Sequence, residues 1–151
     1  MLRKAFTERL KEAMRARDAR TVSAVRMILA ALKDRDIAAR GTGNPAGIPE
    51  PEIQRLLQGM VKQRRESIAL YRQGNRPELA EREEQEIAVI ESFLPRQMSD
   101  DEIAAAAREA IGETGAAGVK DMGKVMGVLR ERHAGVIDMA RAGAVVRQLL
   151  G

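Results

Sequence analysis

The chain has 151 residues, 44% of them hydrophobic and 32% charged, with a formal charge of +4, no cysteine and one histidine, His133. That length suits one ordinary domain or two small ones. Without thiols there are no disulfides, cysteine nucleophiles or cysteine-based metal sites, and a single imidazole rules out a histidine-rich metal centre. The rings are Phe6, Tyr71 and Phe93 alone, so the core must be aliphatic, and platforms that hold single strands by base stacking are excluded. The longest interior apolar run, Met27 to Leu32, is far too short to span a bilayer, so no membrane partner is expected. Charge is segregated: residues 1–40 carry a net +6, 41–74 a net +2, 75–113 a net −7 and 114–151 a net +3. Two basic ends around an acidic middle fit a polyanionic partner.

Leu2, Phe6, Leu10, Ala13 and Met14 recur at helical spacing and predict a first amphipathic helix ending near Arg17. This basic start is similar to a transit peptide, but Glu8 and Glu12 interrupt it and no cleavage-type stretch follows, so it reads as the surface helix of a cytoplasmic protein. Asp18 is placed to cap a second helix with Val22, Val25, Ile28, Leu29 and Leu32 as its buried stripe. Along the border of that stripe Arg26, Lys33 and Arg40 recur every seven residues, as a solvated edge or a track of phosphate contacts. Residues 41–49 hold five glycines or prolines in nine positions and read as a mobile loop.

A third helix is predicted from about Glu50 to Gln73, with Ile53, Leu57, Met60, Val61, Ile68 and Tyr71 inward and Arg64 interrupting the stripe. Gly74-Asn75 ends it, and Pro77 opens a fourth helix as a first-turn residue. There Leu79, Ile87, Ile90, Phe93 and Leu94 face inward, broken by Glu83 and Glu86. A cation in one apolar stripe and carboxylates in the next predict a buried ion pair from Arg64 to Glu83 or Glu86 between antiparallel helices. Its role is read as structural registry.

Pro95 stops the fourth helix, and Ser99 with Glu102 forms a capping box for a fifth. A boundary at residues 95–98 divides the chain into an N-terminal domain, 1–96, and a C-terminal one, 97–151. The fifth helix, roughly 100–113, is alanine-rich, with Ile103, Ala107 and Ile111 buried. After a glycine loop from Gly112 to Gly118, the stretch from Val119 to about Arg132 puts Met122, Met126 and Leu129 on one helical face with Val125 beside them. Asp121 is placed as an N-cap. Gly123 and Gly127 flank the apolar face, and Lys120 and Lys124 continue round from them.

Two interior glycines cost this short helix roughly 2 kcal/mol relative to alanine, so the bare backbone has a use. Close packing of a neighbouring helix is the first reading. Docking of an anionic surface between the lysines is the second. His133 reads as a core or last-turn residue. Gly135 breaks the chain, and Asp138 caps a last helix with Met139, Ala142, Val146, Leu149 and Leu150 inward and Arg141 and Arg147 outward. No segment alternates as a strand would. The fold class is therefore all-α: an N-terminal four-helix bundle-like domain followed by a small three-helix domain.

In the first half, Lys62-Gln63-Arg64-Arg65-Glu66-Ser67-Ile68, Leu79-Ala80-Glu81-Arg82-Glu83, Glu86-Ile87 and Phe93-Leu94-Pro95-Arg96-Gln97-Met98 stand out as motifs. In the second half the motif is Lys120-Asp121-Met122-Gly123-Lys124-Val125-Met126-Gly127, with Gly135 and Asp138 beyond. Together they resemble the GatB/YqeY family over nearly the whole chain, the second motif being the more specific. The resemblance implies a stand-alone relative of the helical and tail domains of the aspartyl/glutamyl-tRNA amidotransferase B subunit. That assembly is a carbon–nitrogen ligase with glutamine as amido donor, and its tail domain touches the outer corner of tRNA. A tRNA partner is thus implied, with Lys120, Gly123, Lys124, Gly127 and Arg130 as candidate contacts.

The family's chemistry is not implied, because no Gly-rich phosphate loop, metal cluster or serine–lysine amidase run is present. No catalytic residue, cofactor or metal is expected. Two alternatives remain. One is a helical adaptor that binds another protein through Ala- and Met-rich faces; the other is an amidotransferase component using Glu83, Glu86, Asp121 and Lys124.

Overall fold

Helical periodicity runs through almost the whole sequence, and the computed structural model, which describes residues 1–151, contains seven α-helices and no strand. They are α1 (Leu2–Arg15), α2 (Ala19–Gly41), α3 (Glu50–Gln73), α4 (Pro77–Glu91), α5 (Asp100–Thr114), α6 (Met122–Arg132) and α7 (Met139–Leu150), with a 3-10 turn at Val119–Asp121. The all-α expectation holds. No helix is long and apolar enough to cross a membrane. The chain divides into two compact units, Met1–Leu94 and Pro95–Gly151.

In the first unit α3 packs along α4, α1 along α2, and α4 also reaches α2. Phe6, Val25, Ile28, Ile53, Leu57 and Ile90 are fully buried in their shared core. Phe6 meets Phe93 edge to face, with centroids 4.8 Å apart, and the Arg9 guanidinium lies 5.8 Å from the Phe93 ring centre. Helix α1 ends two residues earlier than expected because Arg17 turns left-handed, with φ at +55°. The N–H groups of Arg17 and Asp18 then close back on the carbonyls of Met14 and Ala13, a Schellman end. Asn75, also at φ +55°, ends α3 in the same manner, so the left-handed residue is the asparagine and not Gly74. Asp18 caps α2, its carboxylate accepting from the Thr21 N–H at 3.2 Å and the Thr21 hydroxyl at 2.6 Å. Met14, expected inward, is half exposed, and Ala13 takes the buried position.

The second unit is built from α5, α6 and α7, each touching the other two. Its core is Ile103, Ala106, Ala107, Ala110, Val125, Leu129, Ile137, Ala142 and Val146, without a single aromatic ring. The capping box of Ser99 and Glu102 starts α5, and Asp138 starts α7 by accepting from the N–H groups of Ala140 and Arg141 at 3.0 and 3.2 Å. The Met98 N–H bonds to the Val136 carbonyl at 2.8 Å and the Gln97 amide to the Gly135 carbonyl at 2.9 Å, tying the unit's first residues to its last turn. Leu149, expected inward, is exposed, whereas Ile137 is buried.

The 41–49 loop corrects the expectation of a mobile segment at its C-terminal end. Arg3 reaches across from α1 with two bonds to Asp36, at 2.5 and 2.9 Å, and a third to the Ile48 carbonyl at 2.8 Å. The Ile48 N–H donates to the same Asp36 carboxylate at 2.9 Å. Gly47, at φ +82°, presses so closely on Asp36 that a Cβ would collide with it. The Arg3 guanidinium, helped by the Ile48 N–H, holds the buried Asp36 carboxyl down at about 2, against the opposing effect of desolvation. A depressed folded-state value means the network stabilises fully above about pH 4 and its contribution disappears as pH falls towards 2. Asp36→Asn should lower stability near neutrality by about 2 kcal/mol in denaturant titrations, the scale of a lost charged hydrogen-bond partner. It should also lose less stability than the parent between pH 5 and pH 2.

Candidate nucleic-acid interface

Helix α6 begins after the 3-10 turn without a side-chain cap. Asp121 occupies the N-cap position, but its carboxylate turns back to accept the Ala117 N–H at 3.0 Å, closing the preceding loop. The cap expected of it is therefore not made. The inner side of α6 is Val125 and Leu129, fully buried, with Met122, Met126 and Val128 packed partly against the same core. Gly123, Lys124, Gly127, Arg130 and Glu131 share the outer arc, and Lys120 is exposed just ahead of it.

A Cβ added at Gly123 or at Gly127 would meet nothing within 4 Å. Close packing, the first reading of these glycines, is thus corrected: no neighbour of the chain uses the space they leave. The glycine that does admit a neighbour is Gly143 on α7, whose missing Cβ would lie 3.6 and 3.7 Å from the methyl ends of Met122 and Met126. Lys120, Lys124 and Arg130 are exposed and form no ion pair. By contrast Arg132 is bonded to Glu113, and Arg141 lies 3.5 Å from Asp100. His133 follows α6 as its half-buried C-terminal cap residue. On α2, Arg26, Lys33 and Arg40 are all exposed.

The first unit brings Arg64, Glu86 and Glu83 together. Arg64 Nε lies 3.1 Å from a Glu86 carboxylate oxygen and 3.9 Å from one of Glu83, and Arg64 and Glu86 are both buried. The remaining guanidinium nitrogens are used as well, Nη1 donating to the Met60 carbonyl at 3.2 Å and Nη2 to the Met27 sulfur at 3.5 Å. Burial pushes the Glu83 carboxyl up, with the neighbouring Glu86 charge adding to it. Arg65 with Glu91, at 2.9 Å, and Arg72 with Glu84 extend the pairing along α3 and α4. No group of three or more His, Asp or Glu side chains is gathered as a metal site would need. The four groups of the catalytic alternative are divided between the units, Glu83 and Glu86 in one, Asp121 and Lys124 in the other.

The protein is thus a small all-helical one in which an ion-paired helical unit is joined in sequence to a three-helix unit with an exposed, cationic, glycine-bearing helix face. Over residues 3–150 the chain matches the model of the family described as Yqey-like protein, and it belongs to that family. It is also similar, at 34% identity over 85 residues, to Altered inheritance of mitochondria protein 41, mitochondrial, of Lachancea thermotolerans. The proteins of the same name from Vanderwaltozyma polyspora and Candida glabrata are 33% and 35% identical over stretches of the same length. These alignments take in 56% of this chain and 43–45% of each relative, so the chain spans less than half the length of the curated relatives it matches.

Removing one partner of a buried pair strands the other charge. Arg64→Met should therefore lower stability by about 3–5 kcal/mol in chemical denaturation. Glu86→Gln added to it should recover part of that loss in a double-mutant cycle. An unchanged melting temperature in Arg64→Met would show that the pair holds nothing in place.

Proposed function

We propose that this protein is a tRNA-associated accessory factor that binds tRNA through the outer face of α6 and makes no bonds itself. The observation that carries the reading is a pair of glycines, Gly123 in the first turn of α6 and Gly127 in its interior, left open to solvent among unpaired Lys120, Lys124 and Arg130. Gly127 alone costs about 1 kcal/mol relative to alanine, and no neighbour packs into the space that either glycine leaves. Bare backbone beside cations suits a close-approaching phosphate chain. With no Phe, Tyr or Trp in this unit for stacking, affinity comes from phosphates and shape.

The proposal includes kinship with the tail domain of the tRNA amidotransferase B subunit. It also takes the two units as separate domains, the N-terminal one a four-helix carrier and the C-terminal one the tRNA-facing part. A cytoplasmic setting belongs to it too, although the yeast relatives carry a mitochondrial designation in their names; fractionation of cells expressing the full chain decides between the two. A second reading, a protein adaptor, is favoured by one feature: exposed Met14 and Met27 line a hollow of about 750 Å³ on α1 and α2. A stoichiometric protein partner retained after nuclease treatment would favour it.

Anisotropy titrations with labelled, unfractionated tRNA should show affinity falling with salt at a log–log slope of about −0.7 to −0.9 per phosphate contact. Lys120→Glu with Lys124→Glu should weaken binding and flatten the slope. Gly123→Ala with Gly127→Ala should raise stability by about 1–2 kcal/mol and still weaken tRNA binding, a combination that a purely structural helix would not show. Absence of binding to any tRNA at low salt, or glutaminase activity in the purified chain, would overturn the reading.

A further inference from the structure

A hollow of about 520 Å³ opens between α2 and α3 in the first unit, with Arg35, Arg55 and Lys62 as its cations and Asp34 and Glu66 as its carboxylates. All five side chains belong to exposed residues, and none of the five forms an ion pair although opposite charges share the hollow. Gly59, which also lines it, sits in the interior of α3, where a Cβ would meet nothing within 4 Å. Gly59 is thus left unused by packing, as Gly112 on α5 also is, but Gly59 has Arg55 four residues before it and Lys62 three after. In α6 Gly127 has Lys124 three before it and Arg130 three after. The recurrence in an unrelated helix of the other unit is independent of the α6 motif.

We propose that this hollow is a second nucleic-acid site that takes a ribose–phosphate unit of RNA, an inference that rests on the RNA-binding reading above. Arg35, Arg55 and Lys62 supply the donors that a phosphate requires, over a backbone that Gly59 leaves bare. Asp34 and Glu66 supply acceptors for ribose hydroxyls. Against phosphate alone two carboxylates would be a liability; against a ribose they are partners. The 2′-hydroxyl is the group by which a site separates RNA from DNA, so the mixed charge of the hollow gives it a preference for RNA.

The test is anisotropy of a labelled RNA hairpin, and of a DNA hairpin of the same sequence, on the full chain. Arg55→Glu with Lys62→Glu should lower RNA affinity about a hundredfold, the size of two lost charge-assisted bonds, and reduce the salt slope by about one for the single phosphate they share, with the melting temperature unchanged. Asp34→Asn with Glu66→Gln should reduce the preference for RNA over DNA. If both pairs of variants bind like the parent while Lys120→Glu with Lys124→Glu loses binding, the hollow is no site and the α6 reading stands. If the hollow variants lose binding and the α6 variant does not, the hollow stands and the α6 reading falls. Equal affinity of the parent for the RNA and DNA hairpins overturns the ribose assignment, and a parent that binds no RNA overturns both.

Discussion

The C-terminal unit has to close a core without one aromatic side chain. Aliphatic area is the whole of its driving force, at about 25 cal/mol per Å² removed from water, and short side chains capture it only if helices come close. Ala106, Ala107 and Ala110 on α5, with Ala142 and Gly143 on α7, allow that approach. The burden on α6 is correspondingly small. Two side chains, Val125 and Leu129, are fully enclosed, and the Met122 and Met126 thioethers fill the irregular space towards Gly143. A helix anchored along so narrow a stripe leaves most of its circumference free. The thin anchorage also makes an avoidable loss of helical stability on that free surface harder to explain by neglect.

Much of this was legible from the residue pattern, and the failures have physical reasons. Caps and breaks carried local signals: Ser99 with Glu102, Asp18, Asp138 and Pro77 all act at the ends where their chemistry put them. Arg64 could be read because a lone cation in an apolar stripe demands a partner, and the next helix offered only Glu83 and Glu86. Arg3, Asp36 and Ile48 could not be read in this way. Their pairing joins residues 33 and 12 positions apart through a loop whose composition suggested only mobility. Gly143 was missed because a glycine on α7 reports nothing about which methionines approach it. Gly123 and Gly127 were noticed for the right reason, their cost, and first assigned the wrong use, because sequence spacing cannot tell an occupied notch from an open one. Asp121 failed as a cap because the loop before it offered a competing N–H, that of Ala117.

Charge shows most clearly why pairing, not counting, separates structure from function. In sequence the acidic block 75–113 stands apart from basic ends, as if the molecule carried opposed fields. In the fold many of those acids are taken up by arginines: Glu83 and Glu86 by Arg64, Glu84 by Arg72, Glu91 by Arg65, Glu102 by Arg96 and Glu113 by Arg132. Exposed pairs of this kind contribute little to stability, about 0–1 kcal/mol each, but they remove both charges from the surface field. What is left is still most of the 26 lysines and arginines, without an ion pair within the chain, and among them a few stand beside helical glycines that no neighbour packs against. A solvated lysine needs no bare backbone next to it, and a packing glycine needs a neighbour, which Gly143 has and Gly123 and Gly127 lack. Where an unpaired cation and an unoccupied glycine coincide on one helix face, as at Lys124 and Gly127, the proposed reading places an anion from outside the chain against both.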